Sequence, residues 1–221
     1  MINKSALDAQ VLRAAFHEAG HALGFVAHNN EPVRWMYVEV EPSYEEDDEV
    51  TDDMIPDMVS GAIDGGRLYD LELDQKTGSY SVANSFDFEG FSDDDRSTKR
   101  LEMEGDLVMV LCGVVAEAAH VYGVQNKPKV IHEATDLLFI QSQQGGDFQK
   151  VAAIGQHLSA LGVRPSMNCL METAYDVVLH NWGSITALAE TLVKSGYHAN
   201  SRMYEMSRAE IDATIGVAKA A

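Results

Sequence analysis

The sequence predicts an α+β fold that is predominantly helical, with a small β-sheet beside a long N-terminal helix and a helical C-terminal portion. Three observations predict it. Apolar residues recur at three- and four-residue steps from Ser5 to about His28, the spacing of a helix with one buried face. Two short runs of β-forming residues follow, at Arg34 to Val40 and Gly78 to Ala83. Beyond Ser97 helical spacing returns and holds almost to the last residue.

In the first helix Leu7, Val11, Leu12, Ala15, Phe16, Ala19, Ala22, Leu23 and Val26 make the buried stripe. Trp35, Tyr37, Val38 and Val40 form one strand, Tyr80 and Val82 the centre of another, and both are expected in one small sheet. An extended peptide is expected to pair with the edge strand near Tyr80 by strand addition. Between the strands, at about 41–76, lies an acidic insertion containing Glu45, Glu46, Asp47, Asp48, Asp52 and Asp53. It carries Gly61, Gly65 and Gly66 but no sustained periodicity, and reads as a partly flexible, solvated charge run. An acidic turn at Asp93 to Asp95 precedes a helix from Ser97 to Tyr122, stopped by Gly123. Further helices are expected at Val130 to Ser142, Phe148 to Leu161, Met167 to Ser195 and Arg208 to Ala220. The whole chain, 1–221, reads as a single domain.

With 221 residues and 46% hydrophobic content the chain can bury a substantial core. Its formal charge of -19, from 35 acidic and 16 basic residues, repels phosphate backbones and argues against nucleic acid as a partner. Neither end carries a basic-then-apolar signal segment. No uninterrupted apolar stretch approaches the ~18–20 residues that a membrane-spanning helix needs. A cytoplasmic protein with no membrane partner is expected. Cys112 and Cys169 are too few for a disulfide framework and form no CxxC pair, so both are expected as reduced, buried packing residues.

The segment His17-Glu18-Ala19-Gly20-His21 fits HExxH. Residues four apart on a helix project from the same face, so the two imidazoles can bind one metal ion. Glu18, one residue after the first histidine, can face the open position and act as general base toward an attacking water. Catalytic zinc usually has three protein ligands, so a third is needed. His28 is the nearest histidine downstream, but on a continuous helix seven residues carry it ~10 Å beyond His21, outside a shared coordination sphere. His132 and Glu133 begin an HE pair with no second histidine at the required step and are given no role.

Three segments resemble the zinc peptidases that form the protease domains of FtsH-type AAA proteases. Ala14 to Leu23 contains HEAGHA, which is far more specific than HExxH. Leu111-Cys112-Gly113-Val114-Val115-Ala116-Glu117 followed by Tyr122-Gly123 is similar to the family's LGGRAAE...FG. Gly145-Gly146-Asp147-Phe148 with Ala152 is similar to its GASND[IL]xxAT. The resemblance implies that Asp147 is the third zinc ligand; read from the residues alone, an aspartate after two glycines is also a good helix N-cap. Glu117 is either a hydrogen-bond partner for a ligand histidine or an ordinary helix-surface glutamate. The chain departs from the family at Val114, where an arginine is usual, at Gly146, where asparagine or serine is usual, and at Gln141 to Gln144, where TTGA would stand.

The implied activity is a zinc metalloendopeptidase with Zn2+ as cofactor, His17, His21 and Asp147 as ligands and Glu18 as catalytic residue. No GxxxxGK[ST] phosphate loop is present, so the expected substrates are short or already unfolded polypeptides, with an ATPase or unfoldase in trans as a partner. Family members assemble as hexamers, which makes a homo-oligomer a further expectation. Two other readings stay open. One is a non-catalytic regulatory or binding protein on the same fold. The other is a di-iron helical bundle, since Glu18 to His21 and Glu117 to His120 are both Glu-x-x-His.

Overall fold

The computed structural model describes residues 4–29, 33–40, 59–64, 71–74, 79–82, 90–140, 146–196 and 203–220. The first long element is α1 (Lys4–Asn29), and the strands β1 (Trp35–Val40), β2 (Val59–Asp64), β3 (Leu71–Asp74) and β4 (Ser79–Val82) follow it. Then come α2 (Asp93–Tyr122), α3 (Lys127–Ile140), α4 (Asp147–Ala160), α5 (Met167–His180), α6 (Trp182–Lys194), β5 (Met203–Ser207) and α7 (Arg208–Ala220). The α+β, mainly helical architecture is as expected.

The core is built on α1 against α2. From α1 come Val11, Ala15, Phe16, Ala19, Ala22, Leu23 and Phe25, all buried, and α2 is buried almost without interruption from Leu107 to Ala119. Burying a Leu, Val or Phe side chain contributes about 1.5–3 kcal/mol, so this pair anchors the domain. Helices α3, α4 and α5 pack on α2, and α6 packs on α1. Length and composition alone would let α2 cross a membrane, but 72% of its apolar window is buried inside the domain, as in the core helix of a packed protein. Its uninterrupted apolar run, bounded by Asp106 and Glu117, is only Leu107 to Ala116, so the expectation of no unbroken apolar stretch of spanning length stands. The mean hydropathy of α2 is high because a helix surrounded by protein is apolar on most of its faces.

The acidic turn at 93–95 is the first turn of α2 itself. Ser92 caps it: its hydroxyl accepts from the Asp95 backbone N–H, and the Asp95 carboxylate accepts from the Ser92 backbone N–H. Three carboxylates in that turn also complement the helix dipole. At the other end Gly123, at φ 85, stops the helix.

The two expected strands do not share a sheet. β1 is the centre of a three-stranded antiparallel sheet of order β2-β1-β5, whereas β4 pairs with β3 in a separate two-stranded sheet that contacts α4. Two of the partners, β2 and β3, come from within the acidic insertion, which is therefore not a featureless charge run. The rest of that segment lies outside the described residues. In register, Val38 stands between Gly61 and Tyr204, and Met36 between Ile63 and Met206. Met36, Val38 and Met206 are fully buried, and β1 and β2 pack on α1. The alternation of a strand puts Gly61 on the same, α1-facing side as Val38.

The expected single helix over Met167 to Ser195 is two, α5 and α6, broken at Asn181, whose backbone leaves helical geometry (φ -107, ψ 12). Cys112 is buried, and burial pushes its thiol up to about 12. Cys169 is exposed, against the expectation of two buried thiols, because it lies on the solvent side of α5.

Candidate metal centre

Contacts between α1 and α2 run antiparallel in steps of one turn. Along α1, Arg13, His17 and His21 follow one another at four-residue intervals; along α2, Glu117, Gly113 and Met109 do the same in reverse. Arg13 meets Glu117, His17 meets Glu117 and Gly113, and His21 meets Gly113 and Met109. Small residues allow the approach. A Cβ on Gly20 would fall 2.3 Å from the Cys112 carbonyl oxygen, and one on Gly113 would fall 2.4 Å from His21 Cε1 and 2.9 Å from His17 Nε2. The glycines of HEAGH and of the second motif are thus required by packing: the Cys112 backbone and Ala116 close on Gly20, and the imidazoles occupy the space beside Gly113.

Asp147 reaches the histidines from α4. Its carboxylate does not cap that helix: Gly146 is the N-cap, with no side-chain cap bond, and Asp147 is the first helical residue. Gly146 adopts φ 91, ψ -142, a conformation open to glycine and to almost nothing else. That explains the glycine where the resembled family has asparagine or serine. The turn it makes sets Asp147 Oδ2 2.9 Å from His17 Nε2 and 3.1 Å from His21 Nε2, and the two Nε2 atoms are 3.0 Å apart.

The outer atom of each group is also engaged. His17 Nδ1 lies 3.0 Å from Glu117 Oε2, His21 Nδ1 lies 3.2 Å from the Met109 carbonyl oxygen, and Lys150 Nζ donates to Asp147 Oδ1 at 3.1 Å. Because both Nδ1 atoms face acceptors, both carry the ring hydrogen, and in the neutral rings both Nε2 atoms present lone pairs. Two imidazole lone pairs and a carboxylate oxygen therefore face one another, mostly buried, within a triangle of about 3 Å. Three acceptors hold such a geometry around a shared cation, either a proton or a metal ion. In a tetrahedral centre with bonds of about 2.0–2.1 Å the donor atoms stand roughly 3.3 Å apart, so the triangle is only slightly tighter than a metal would set. His17, His21 and Asp147 could hold a metal ion.

Electrostatics agree with a site built for positive charge. Burial alone would pull the His17 imidazole down, but its hydrogen bonds with Asp147 and Glu117 outweigh that and hold it well above the ordinary histidine value. Burial likewise opposes ionisation of Asp147, yet the neighbouring His21, Lys150 and His17 keep its carboxyl well below the usual range. Glu117 is lowered too, the His17 bond and Arg13 overcoming its burial. Glu18 moves the other way: burial raises it, and the two imidazoles only partly offset this. It lies beside the triangle and under β2, where a Cβ on Gly61 would sit 2.8 Å from Glu18 Oε1.

No family model matches the chain, and no curated protein matches it. The site therefore stands on its own geometry.

Every residue expected at the site from the sequence lies in it: His17, Glu18, His21, Asp147 and, as partner of His17, Glu117. His28 is exposed at the far end of α1, against Gly105. His132 is exposed and faces Asp136. The second Glu-x-x-His does not act as one. Glu117 points at His17 and Arg13, while His120 stacks on Phe16 at 4.0 Å, which removes the basis for a di-iron bundle. Arg13 and Lys150 went unread in the sequence. Arg13 could have been found from its place one turn before His17 on the same face; for Lys150 the only signal was its spacing from Asp147.

Proposed function

We propose that the protein is a zinc-dependent metallopeptidase that hydrolyses peptide bonds in short or already unfolded polypeptides, like the family its motifs resemble. One observation carries this reading: three acceptor atoms from two helices converge with a buried, pKa-raised carboxylate, Glu18, beside them. Two imidazoles and one carboxylate are a donor set that suits zinc, and with three protein ligands one position is left for exchange. A zinc ion bound there supplies a Lewis acid next to the scissile carbonyl.

The chain's own residues do the rest. Glu18 takes the proton of the attacking water and later delivers it to the leaving amine, a task helped by burial raising its carboxyl above the ordinary value. Glu117 and the Met109 carbonyl hold the proton on Nδ1 of each histidine, which keeps both Nε2 atoms as ligands. Lys150 fixes the Asp147 carboxylate through its second oxygen. β2 stands at one edge of its sheet with Gly61 against Glu18. An extended peptide pairing with that edge would pass the general base. The strand at Tyr80, β4, belongs to the separate β3–β4 pair and contacts α4, the helix that carries Asp147.

A cytoplasmic setting and an unfoldase acting in trans are part of the proposal. The direct test is Glu18→Gln. It should retain zinc while cleavage of unfolded casein or a peptide library falls by at least about 10²-fold, the scale of a lost general base. A variant that cleaves at the wild-type rate would remove Glu18 from the mechanism, and a zinc-loaded wild type inert toward every such substrate would leave a binding protein instead.

A further inference from the structure

Arg13 stands one helical turn before His17 on the ridge that carries both histidines. Its Nη2 donates to Glu117 Oε1 at 2.7 Å, while the other oxygen of that carboxylate faces His17 Nδ1 at 3.0 Å. Glu117 is thus gripped at both oxygens, in a position only 8% exposed. The guanidinium is itself constrained there. Arg13 Nε is buried with no hydrogen-bond partner among the described residues, an arrangement that an arginine on a helix surface escapes by swinging into water. The charge-assisted bond to Glu117 is what offsets that penalty.

We infer that Arg13 is a positioning residue of the metal centre: gripping Glu117, it fixes the ring orientation and the Nδ1–H form of His17. The inference rests on the metal reading proposed above. Without Arg13, Glu117 would be a buried carboxylate with one partner and freedom to turn about its last side-chain bond. His17 would then lose the acceptor that aims Nε2 at Asp147 and His21. Arginine suits the task because its planar fork reaches a carboxylate with defined direction, which the single ammonium of lysine does less well. The effect belongs to affinity and geometry at the metal, so it can be read without any turnover.

The experiment uses the full chain, with zinc affinity measured by competition against a chromophoric chelator and ligand geometry by the visible spectrum of the cobalt(II) form. The wild type comes first; if it takes up neither metal, the metal reading fails and the role of Arg13 with it. Given wild-type uptake, Arg13→Met is expected to weaken zinc binding about tenfold, as loss of such an outer partner does, and to shift the cobalt bands. Arg13→Lys should recover most of that affinity. Arg13→Met placed on Glu117→Gln should add little further loss, because both act through one carboxylate. A folded Arg13→Met with wild-type affinity and spectrum would overturn the inference, while the metal reading would survive. So would losses that add in full in the double variant, or an Arg13→Lys no better than Arg13→Met. Should Arg13→Met fail to fold, Arg13→Gln carries the same expectations and the same reversals.

Discussion

Burial by itself would discharge His17, yet two carboxylates, Asp147 and Glu117, keep its imidazole protonated above the usual histidine range. In the metal-free protein this raised value is a stabilising contribution, fully present below the unfolded value near 6.5 and lost as pH rises through the higher folded one. Asp147, depressed instead, contributes stability above its unfolded value near 3.8 that is lost as pH falls through the lower folded one. A metal ion bound there would take the place of the shared proton. Between the ordinary and the raised His17 values zinc binding should release protons, and affinity should climb with pH across that window. Calorimetric titration in two buffers of different ionisation enthalpy reads this directly; an apparent enthalpy that does not depend on the buffer would contradict it. His17, Glu18 and His21 were legible in the sequence because four-residue spacing on a helix is a local property. Asp147 was not, since nothing local distinguishes a helix-capping aspartate from a ligand; only the resemblance pointed to it, and the turn at Gly146 is what aims its carboxylate.

Helices α1 and α2 form the frame, and their spacing is set by residues with little or no side chain. Gly113 faces both imidazoles, with no space for a Cβ. Gly113→Ala should lower the unfolding free energy by about 1–3 kcal/mol, the usual range for overpacking a tight interior, and should weaken metal binding by displacing the rings. Denaturant unfolding and metal titration of the same variant check both, and unchanged metal uptake would show that the rings do not fill that space. Helices were the readable elements, because amphipathic spacing extends over many residues. Short strands were not. Val59 to Asp64 includes a glycine and ends in an acid, and Met203 to Ser207 is too brief to show alternation. The break between α5 and α6 carries no proline, and its glycine, Gly183, falls inside the first turn of α6; Asn181 makes the turn, and its side chain donates back to the Val177 carbonyl.

At the scale of the molecule, a chain with a formal charge of -19 surrounds a small buried site where Lys150, Arg13 and the two imidazoles face the carboxylates of Asp147, Glu117 and Glu18. Sequence patterning conveyed the fold class because one buried helix pair and its amphipathic neighbours dominate it. It could not convey which strands share a sheet, since β1 pairs with β5, a strand far along the chain, as well as with β2. The account depends on convergence: α1 supplies two candidate ligands and α4, with Asp147 126 positions after His21 in the sequence, supplies the third. Zinc titration of the purified wild type beside Asp147→Ala tests that convergence most directly. One zinc per wild-type chain, with affinity reduced at least about a hundredfold in the variant as a ligand is lost, is the predicted result. A wild type that takes up no zinc, or an Asp147→Ala variant that binds it equally well, would contradict the account.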